Sequence, residues 1–67
     1  MATYKKLGER IRRIRKERKL TQEQLAELAK VDAKSIIEIE NGKRNPTFRT
    51  LNKITHALKV PLKELLE

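Results

Sequence analysis

The sequence predicts an all-α protein, a compact bundle of five helices. Apolar residues recur at intervals of three and four in several segments, and no segment alternates with a period of two for long enough to indicate a strand. Within residues 21–42, two short helical patterns are separated by Lys30 and Val31, which leaves room only for a sharp corner. The 67 residues lie near the lower limit for a self-sufficient core, so we expect a single domain over residues 1–67.

The first helix is expected to run from about Tyr4 to about Arg18. Basic residues cover most of its surface and leave one apolar stripe, as in a helix packed on a small core. The stripe consists of Leu7, Ile11 and Ile14. Leu20 follows just before a helix cap, where an apolar side chain can act as a hydrophobic staple.

The second helix should begin at Gln22. Thr21 and Gln24 have the spacing of a capping box, in which the Thr hydroxyl accepts from a free helix amide and the Gln side chain returns to the cap. The small residue Ala26 leaves room for a closely crossing helix, and Val31 is expected to fill the corner that follows. The apolar positions at helical spacing are Leu25, Ala26, Leu28 and Ala29.

The third helix should begin at Asp32. An Asp side chain caps helix amides well and suits the positive end of the helix dipole. Ile36 and Ile39 repeat at three-residue spacing towards the core, and Asn41-Gly42 is typical of a helix end. The second and third helices must therefore cross steeply.

Two further helices are expected after a basic loop that Pro46 closes. Thr47 is a suitable cap for a helix from about Phe48 to about Lys59, with Phe48, Leu51, Ile54 and Leu58 on its inner face. Val60-Pro61 ends that helix. A short terminal helix is indicated by Leu62, Leu65 and Leu66.

Composition excludes several classes of protein. The absence of cysteine removes disulfides, thiolate catalysis and the usual zinc-finger ligand sets. The apolar runs are short and interrupted by charge, so we expect neither a signal peptide nor a membrane span, and a cytoplasmic protein. We also expect no metal, cofactor or small-molecule substrate.

The charge is unevenly distributed along the chain. Seventeen Lys and Arg against nine Asp and Glu give a net charge of +8. Residues 1–20 carry +7, residues 21–42 carry −3, and residues 43–67 carry +4. Attraction to phosphates would therefore come mainly from the flanks of the two short helices. The alternative is that the N-terminal basic run is only a solvated face.

These features resemble the lambda-repressor-like helix-turn-helix family, the Cro and phage-repressor type that is also called Xre-type. The resemblance covers nearly the whole chain. It rests on the blocks LGERIRRIRKERKLTQEQLA, IEIENGKRNP, LNKITHALKV and LKELL, in that order. It implies a helix-turn-helix over about residues 22–41 that presents its second helix to duplex DNA.

The resemblance also implies roles for individual residues. Gln22, Asn41, Lys43 and Arg44 match positions that contact DNA phosphates in relatives, and a helix start such as Gln22 favours an anion in any case. Arg15 and Glu40 match a partly buried ion pair that is structural. Lys30 occupies a position where the family usually has glycine, because the backbone there has a positive φ.

The groove-facing positions of the third helix would be Ala33, Lys34, Ile37 and Glu38. Lys34 can donate to guanine O6 or N7, Glu38 can accept from the cytosine amino group, and Ala33 or Ile37 could meet a thymine methyl. The alternatives are that Lys34 touches only phosphate, that Glu38 is a solvated or repulsive charge, and that Ile37 packs at a protein interface.

The function expected from this resemblance is sequence-specific DNA binding by a bacterial or phage-type transcriptional regulator. A homodimeric repressor is expected, because two reading helices reach successive major grooves about 34 Å apart on a palindromic operator. Candidates for the dimer interface are Phe48, Leu62, Leu65 and Leu66. For Leu62 and Leu65 the alternative is that they only close the core of the monomer.

Other classes of function are less well supported by the sequence. Nothing indicates an enzyme, because the single histidine, His56, has no nearby Ser or Cys nucleophile and no carboxylate pair has a clear metal-binding arrangement. His56 is therefore interpreted as a partly exposed helix residue. The main rival is a protein-interaction module, such as the antitoxin of a toxin–antitoxin pair or an accessory regulator that binds polymerase. A basic amphipathic first helix on a membrane surface is a weaker third interpretation.

Overall fold

The computed structural model describes residues 3–66 and consists of five α-helices. They are α1 (Thr3–Glu17), α2 (Gln22–Ala29), α3 (Ala33–Glu40), α4 (Phe48–Leu58) and α5 (Leu62–Leu66). No strand occurs within residues 3–66. The predicted fold class, number of helices and order of helices are confirmed.

The longest helix, α1, lies across α3 with its backbone close to the α3 backbone. Its apolar stripe is buried as predicted. Gly8 is also buried, and a Cβ atom built at this position would overlap the carbonyl oxygen of Ile39 and approach the Glu40 carbonyl carbon to 3.2 Å. Only glycine fits at this crossing, because the obstacle is the backbone of α3 and not a flexible side chain.

The capping box at the start of α2 is confirmed. The Gln24 backbone N–H donates to Thr21 Oγ1 at 3.0 Å, and the Thr21 N–H donates to Gln24 Oε1 at 2.8 Å. The predicted side-chain cap at Asp32 is wrong. The Asp32 carboxylate is exposed and makes no cap hydrogen bond. The Ser35 N–H, from which it would accept such a bond, donates instead to the Asp32 backbone carbonyl at 3.0 Å.

The structure corrects the predicted inner faces of α2 and α4 at one position each. Leu28, one of the predicted apolar positions of α2, is 58% exposed; Phe48, predicted on the inner face of α4, is 68% exposed. Phe48 is the first residue after the Thr47 cap, whose Oγ1 accepts from the Thr50 N–H at 3.1 Å, so it lies at the edge of the bundle.

Three of the helices end in the same way, with a lysine in the left-handed region. Lys19, Lys30 and Lys59 have φ of 58°, 58° and 60°, and each is followed by a branched apolar residue that packs against the core. The amide of that next residue donates back into the preceding helix: Leu20 to Arg15 O at 3.1 Å, Val31 to Ala26 O at 3.0 Å, and Val60 to Thr55 O at 3.1 Å. These are Schellman-type helix ends, in which glycine is favoured at the left-handed position that each lysine occupies here.

Replacing Lys30 by glycine is expected to stabilise the fold. A left-handed non-glycine residue costs roughly 1–2 kcal/mol, whereas the added backbone freedom of glycine costs roughly 0.5–1 kcal/mol. The net gain is up to about 1.5 kcal/mol, and a gain of about 1 kcal/mol corresponds to a rise in Tm of roughly 4–8 °C, measured by thermal unfolding. Lys53→Gly, in the exposed interior of α4, is the matched control and should lower stability. An equal or lower Tm in Lys30→Gly would contradict the expectation.

Two arginines of the basic N-terminal run hold the ends of other helices. Arg10 Nη1 donates to Leu65 O at 3.3 Å, and Arg18 Nε donates to Leu58 O at 2.9 Å. Each guanidinium thus meets carbonyls at the negative end of a helix. Part of the +7 charge of residues 1–20 therefore has a structural role, and the run is not simply a solvated face.

Candidate nucleic-acid interface

The third helix separates its residues into an inner and an outer side. The buried residues are Ile36, Ile39 and Glu40. Lys34, Ile37 and Asn41 are exposed, and Glu38 is partly exposed. At 3.6 residues per turn, the three positions 34, 37 and 38 fall within about 100° of one another. We call this set, Lys34, Ile37 and Glu38, the outer face of α3. Ile37 is 41% exposed, as its predicted outward position requires.

Ala33 lies at the margin of the outer face of α3. It is partly buried and packs against the hydrophobic core, so only part of its surface is available to a ligand. On the helical projection it lies about 100° from Lys34, towards the buried side. Of the four predicted base-reading positions, Ala33 is thus the one that packs against the core.

The ion pair between Arg15 and Glu40 fixes α3 against α1, as predicted. Arg15 Nε donates to Glu40 Oε2 at 2.7 Å and Nη2 donates to Oε1 at 3.1 Å, a bidentate arrangement. The two side chains are 8% and 1% exposed. The remaining Arg15 nitrogen, Nη1, donates to the Leu20 carbonyl at 2.7 Å, so one guanidinium ties α1, the first corner and α3 together.

The predicted phosphate contact Gln22 is connected to the same buried carboxylate. Gln22 Nε2 donates to Glu40 Oε1 at 3.1 Å across 18 residues of sequence. As the first residue of α2, Gln22 also has a backbone N–H without a helical acceptor. Glu40 therefore accepts hydrogen bonds from both Arg15 and Gln22. The bond from Gln22 holds the start of α2 against the end of α3.

At residues 41–43, the segment after α3 offers side chains rather than free amides. The N–H groups of Asn41, Gly42 and Lys43 donate to Ile37 O, Ile39 O and Glu38 O at 3.0, 3.1 and 2.9 Å. These amides are already used within the chain. The side chains of Asn41 and Lys43 are exposed, so they are the groups available to an anion in this segment.

Arg44 does not extend freely into solvent. Its Nη1 donates to Ser35 Oγ at 2.6 Å, and its Nε lies 3.5 Å from Glu38 Oε1. A predicted phosphate contact and a predicted base-reading residue are thus paired with each other. No local sequence signal indicates this pairing, because it depends on how the loop returns over α3.

The four candidates for a dimer interface fall into two groups. Phe48 and Leu66 are 68% and 60% exposed. Leu62 is partly buried against the core, and Leu65 is fully buried within the protomer. Leu65 is therefore removed from the interface candidates, since it closes the core of the monomer, the alternative that the sequence left open.

Among residues 3–66, no group of three or more His, Asp or Glu side chains is placed to hold a metal ion. His56 is exposed on α4, as expected. None of the described helices is long and apolar enough to cross a membrane.

The fold and this surface together define a class of protein. A capped helix, a corner at residues 30–32 and a second helix with an exposed outer face make up a helix-turn-helix. The chain matches the family model described as "Helix-turn-helix domain" over residues 8–67, and it belongs to that family.

Two of the similar proteins are named as repressors. The chain is 48% identical over 60 residues to the HTH-type transcriptional repressor RghR of Bacillus subtilis (strain 168), a match that covers 88% of this chain and 44% of RghR. It is 42% identical over 60 residues to the immunity repressor protein of Bacillus phage phi105, covering 90% of this chain and 42% of the repressor. The chain thus spans less than half the length of these two relatives.

Solved structures share the fold over nearly the whole chain. The restriction-modification controller protein C.AhdI from Aeromonas hydrophila superposes with a TM-score of 0.93 and 34% identity, covering 97% of this chain and 98% of that protein. The clp gene regulator ClgR from Corynebacterium glutamicum also gives a TM-score of 0.93, with 26% identity, covering 98% of this chain and 70% of the ClgR chain. The resemblance to helix-turn-helix regulators inferred from the sequence is confirmed.

Proposed function

We propose that this domain binds duplex DNA sequence-specifically and regulates transcription in the bacterial cytoplasm. The observation that carries the proposal is the outer face of α3, which presents donors, an acceptor and an apolar side chain on a helix fixed by a buried ion pair. An α-helix fits the major groove, where these groups can distinguish bases. The relatives support it, since two are named as repressors.

The phosphate contacts would surround this face. The start of α2 brings a free amide and the dipole of an eight-residue helix to Gln22, and Lys43 and Asn41 lie just beyond the end of α3. Because residues 21–42 carry −3, the attraction for the polyanion comes from the basic flanks. Contacts of this kind position the protein, whereas the outer face of α3 supplies the sequence preference.

A homodimeric repressor on a palindromic operator remains our proposal for the assembly. One α3 offers only two turns of helix to a groove, so two copies about 34 Å apart would give the required specificity. Phe48 and Leu66 are the most suitable interface residues because both are large, apolar and exposed, and Leu62, which is partly buried, is less accessible. Sedimentation of the protein with and without operator DNA tests the stoichiometry.

Selection from a random duplex library is the experiment that tests the function. A pair of related half-sites with a fixed spacing is the expected result, and it would define both the operator and the stoichiometry on DNA. The rival class, a protein-interaction module, predicts no salt-dependent and sequence-selective binding. That outcome would reject DNA recognition by this domain.

The affinity for the selected duplex is expected to depend on salt through Lys43. The logarithm of the affinity should fall linearly with the logarithm of salt concentration, by about 0.9 per phosphate contacted, and Lys43→Ala should reduce the slope by about that amount. Fluorescence anisotropy at several salt concentrations measures it. Lys63→Ala, on α5, removes the same charge at a position that is not among the proposed phosphate contacts, and it should leave the slope unchanged. Equal slopes in wild type and Lys43→Ala would place the contacts elsewhere.

A further inference from the structure

We propose that Arg44 determines specificity by positioning Glu38 on the outer face of α3, rather than by contacting phosphate. This inference rests on the proposed function, since it concerns how the domain would distinguish DNA sequences. It gives Arg44 a role different from that of its neighbour Lys43, although both are basic residues of one loop.

The geometry fixes the guanidinium along one turn of α3. Ser35 and Glu38 are three residues apart and thus neighbours on the helix surface. Arg44 reaches both from the loop, with Nη1 at 2.6 Å from Ser35 Oγ and Nε at 3.5 Å from Glu38 Oε1. The short hydrogen bond to Ser35 holds the planar guanidinium of Arg44 in place. It thereby sets the direction from which the guanidinium approaches the Glu38 carboxylate.

The pairing decides how Glu38 would meet DNA. A free carboxylate facing the groove would be repelled by the phosphates, and Arg44 offsets that charge. Lys34 lies one turn earlier on the same side, but in the part of the chain that the structure describes, Glu38 pairs with Arg44. Among residues 3–66, only one Glu38 oxygen is engaged, so the other is available to accept from a cytosine amino group.

A phosphate contact by Arg44 would have the opposite effect. A guanidinium that left Ser35 and Glu38 for a phosphate would return the unpaired carboxylate to the face that approaches the polyanion. Lys43 has no such conflict, because its side chain is exposed and makes no ion pair among the described residues. The two adjacent basic residues therefore have different roles: Lys43 contributes to the affinity for DNA, and Arg44 contributes to the base preference.

The test compares base preference and salt dependence in five variants of the whole chain: Arg44→Gln, Arg44→Lys, Glu38→Gln, Lys43→Gln and the double variant Arg44→Gln with Glu38→Gln. Selection from a random duplex library identifies the base position whose preference changes in Glu38→Gln. At that position, Arg44→Gln should reduce discrimination at least roughly fivefold, since a good side-chain pair with a base is worth about 1–3 kcal/mol. Arg44→Gln added to Glu38→Gln should produce no further change there.

Two variants separate geometry from charge. Arg44→Lys keeps the charge but lacks the planar fork that reaches both partners, so it should weaken base preference while leaving the salt slope unchanged. Lys43→Gln should reduce the slope by about 0.9 and leave base preference as in the wild type. Arg44 is half-exposed, and circular dichroism of each variant verifies that the fold is retained.

Unchanged base preference in Arg44→Gln, together with a slope reduced as in Lys43→Gln, would overturn the inference and make Arg44 a phosphate contact. Base preference that changes equally in the presence and absence of Glu38 would also overturn it. In both cases the wild type still selects DNA, so the proposed function stands. Absence of any selected sequence for the wild type would instead reject the proposed function, and this inference with it.

Discussion

Gly8→Ala is expected to destabilise the domain by about 3 kcal/mol or more, at the upper end of the cost of overpacking. The added methyl group would overlap the Ile39 carbonyl oxygen, and neither backbone can move away without separating α1 from α3. A domain of this size has a free energy of unfolding of roughly 3–10 kcal/mol, so the loss would remove between about a third and all of it. Urea denaturation followed by circular dichroism measures the loss.

The neighbouring residue offers a matched control for this substitution. Glu9→Ala lies on the same helix, is exposed, and should change stability by no more than about 0.5 kcal/mol. Because alanine is a better helix former than glycine, helix propensity alone predicts that Gly8→Ala stabilises α1. A stability equal to or above that of the wild type would show that α1 and α3 can separate at little cost.

Removing either partner of the Arg15–Glu40 pair is expected to cost about 3–5 kcal/mol. Arg15→Met leaves the Glu40 carboxylate buried with only the Gln22 amide as a donor, and Glu40→Leu leaves a buried guanidinium with only the Leu20 carbonyl. The measurement is the free energy of unfolding by chemical denaturation. A loss below about 1 kcal/mol in both single variants would mean that water reaches the pair.

The double variant tests whether the cost arises from the unpaired charge. Replacing both members by apolar residues of similar size removes the charges together and is often neutral. Arg15→Met with Glu40→Leu should therefore be more stable than either single variant. Full recovery is not expected, since the Leu20 carbonyl loses the 2.7 Å bond from Arg15. Additive losses would contradict this explanation.

Features that depend on neighbouring residues could be predicted from the sequence. The Thr21 capping box requires only Thr21 and Gln24, and the spacing of Ile36 and Ile39 identified the inner side of α3. The left-handed Lys30 was expected from the family pattern. Lys19 and Lys59 carry the same local signal, a lysine followed by Leu or Val at the end of a helix, although only Lys30 was predicted to be left-handed.

Features that depend on the path of the chain could not be predicted in this way. Gly8 appears in the sequence as a helix residue of low propensity, and nothing local indicates the α3 carbonyl opposite it. The return of Arg44 over α3 depends on the irregular loop from Gly42 to Thr47. Asp32 is a favourable cap residue, but the competing backbone hydrogen bond decided its geometry.

The close approach of α1 to α3 at Gly8 would limit how the proposed DNA-binding domain adjusts to different operators. With no side chain between the two backbones, α3 cannot tilt independently of α1, and the bundle would enter a groove as one rigid body. In a dimer, a half-site spacing that does not match the protein must then be accommodated by bending or twisting the duplex. Such deformation costs from about 1 to 6 kcal/mol and depends on the base steps that are deformed. Base pairs between the half-sites, which no side chain touches, are therefore expected to influence affinity.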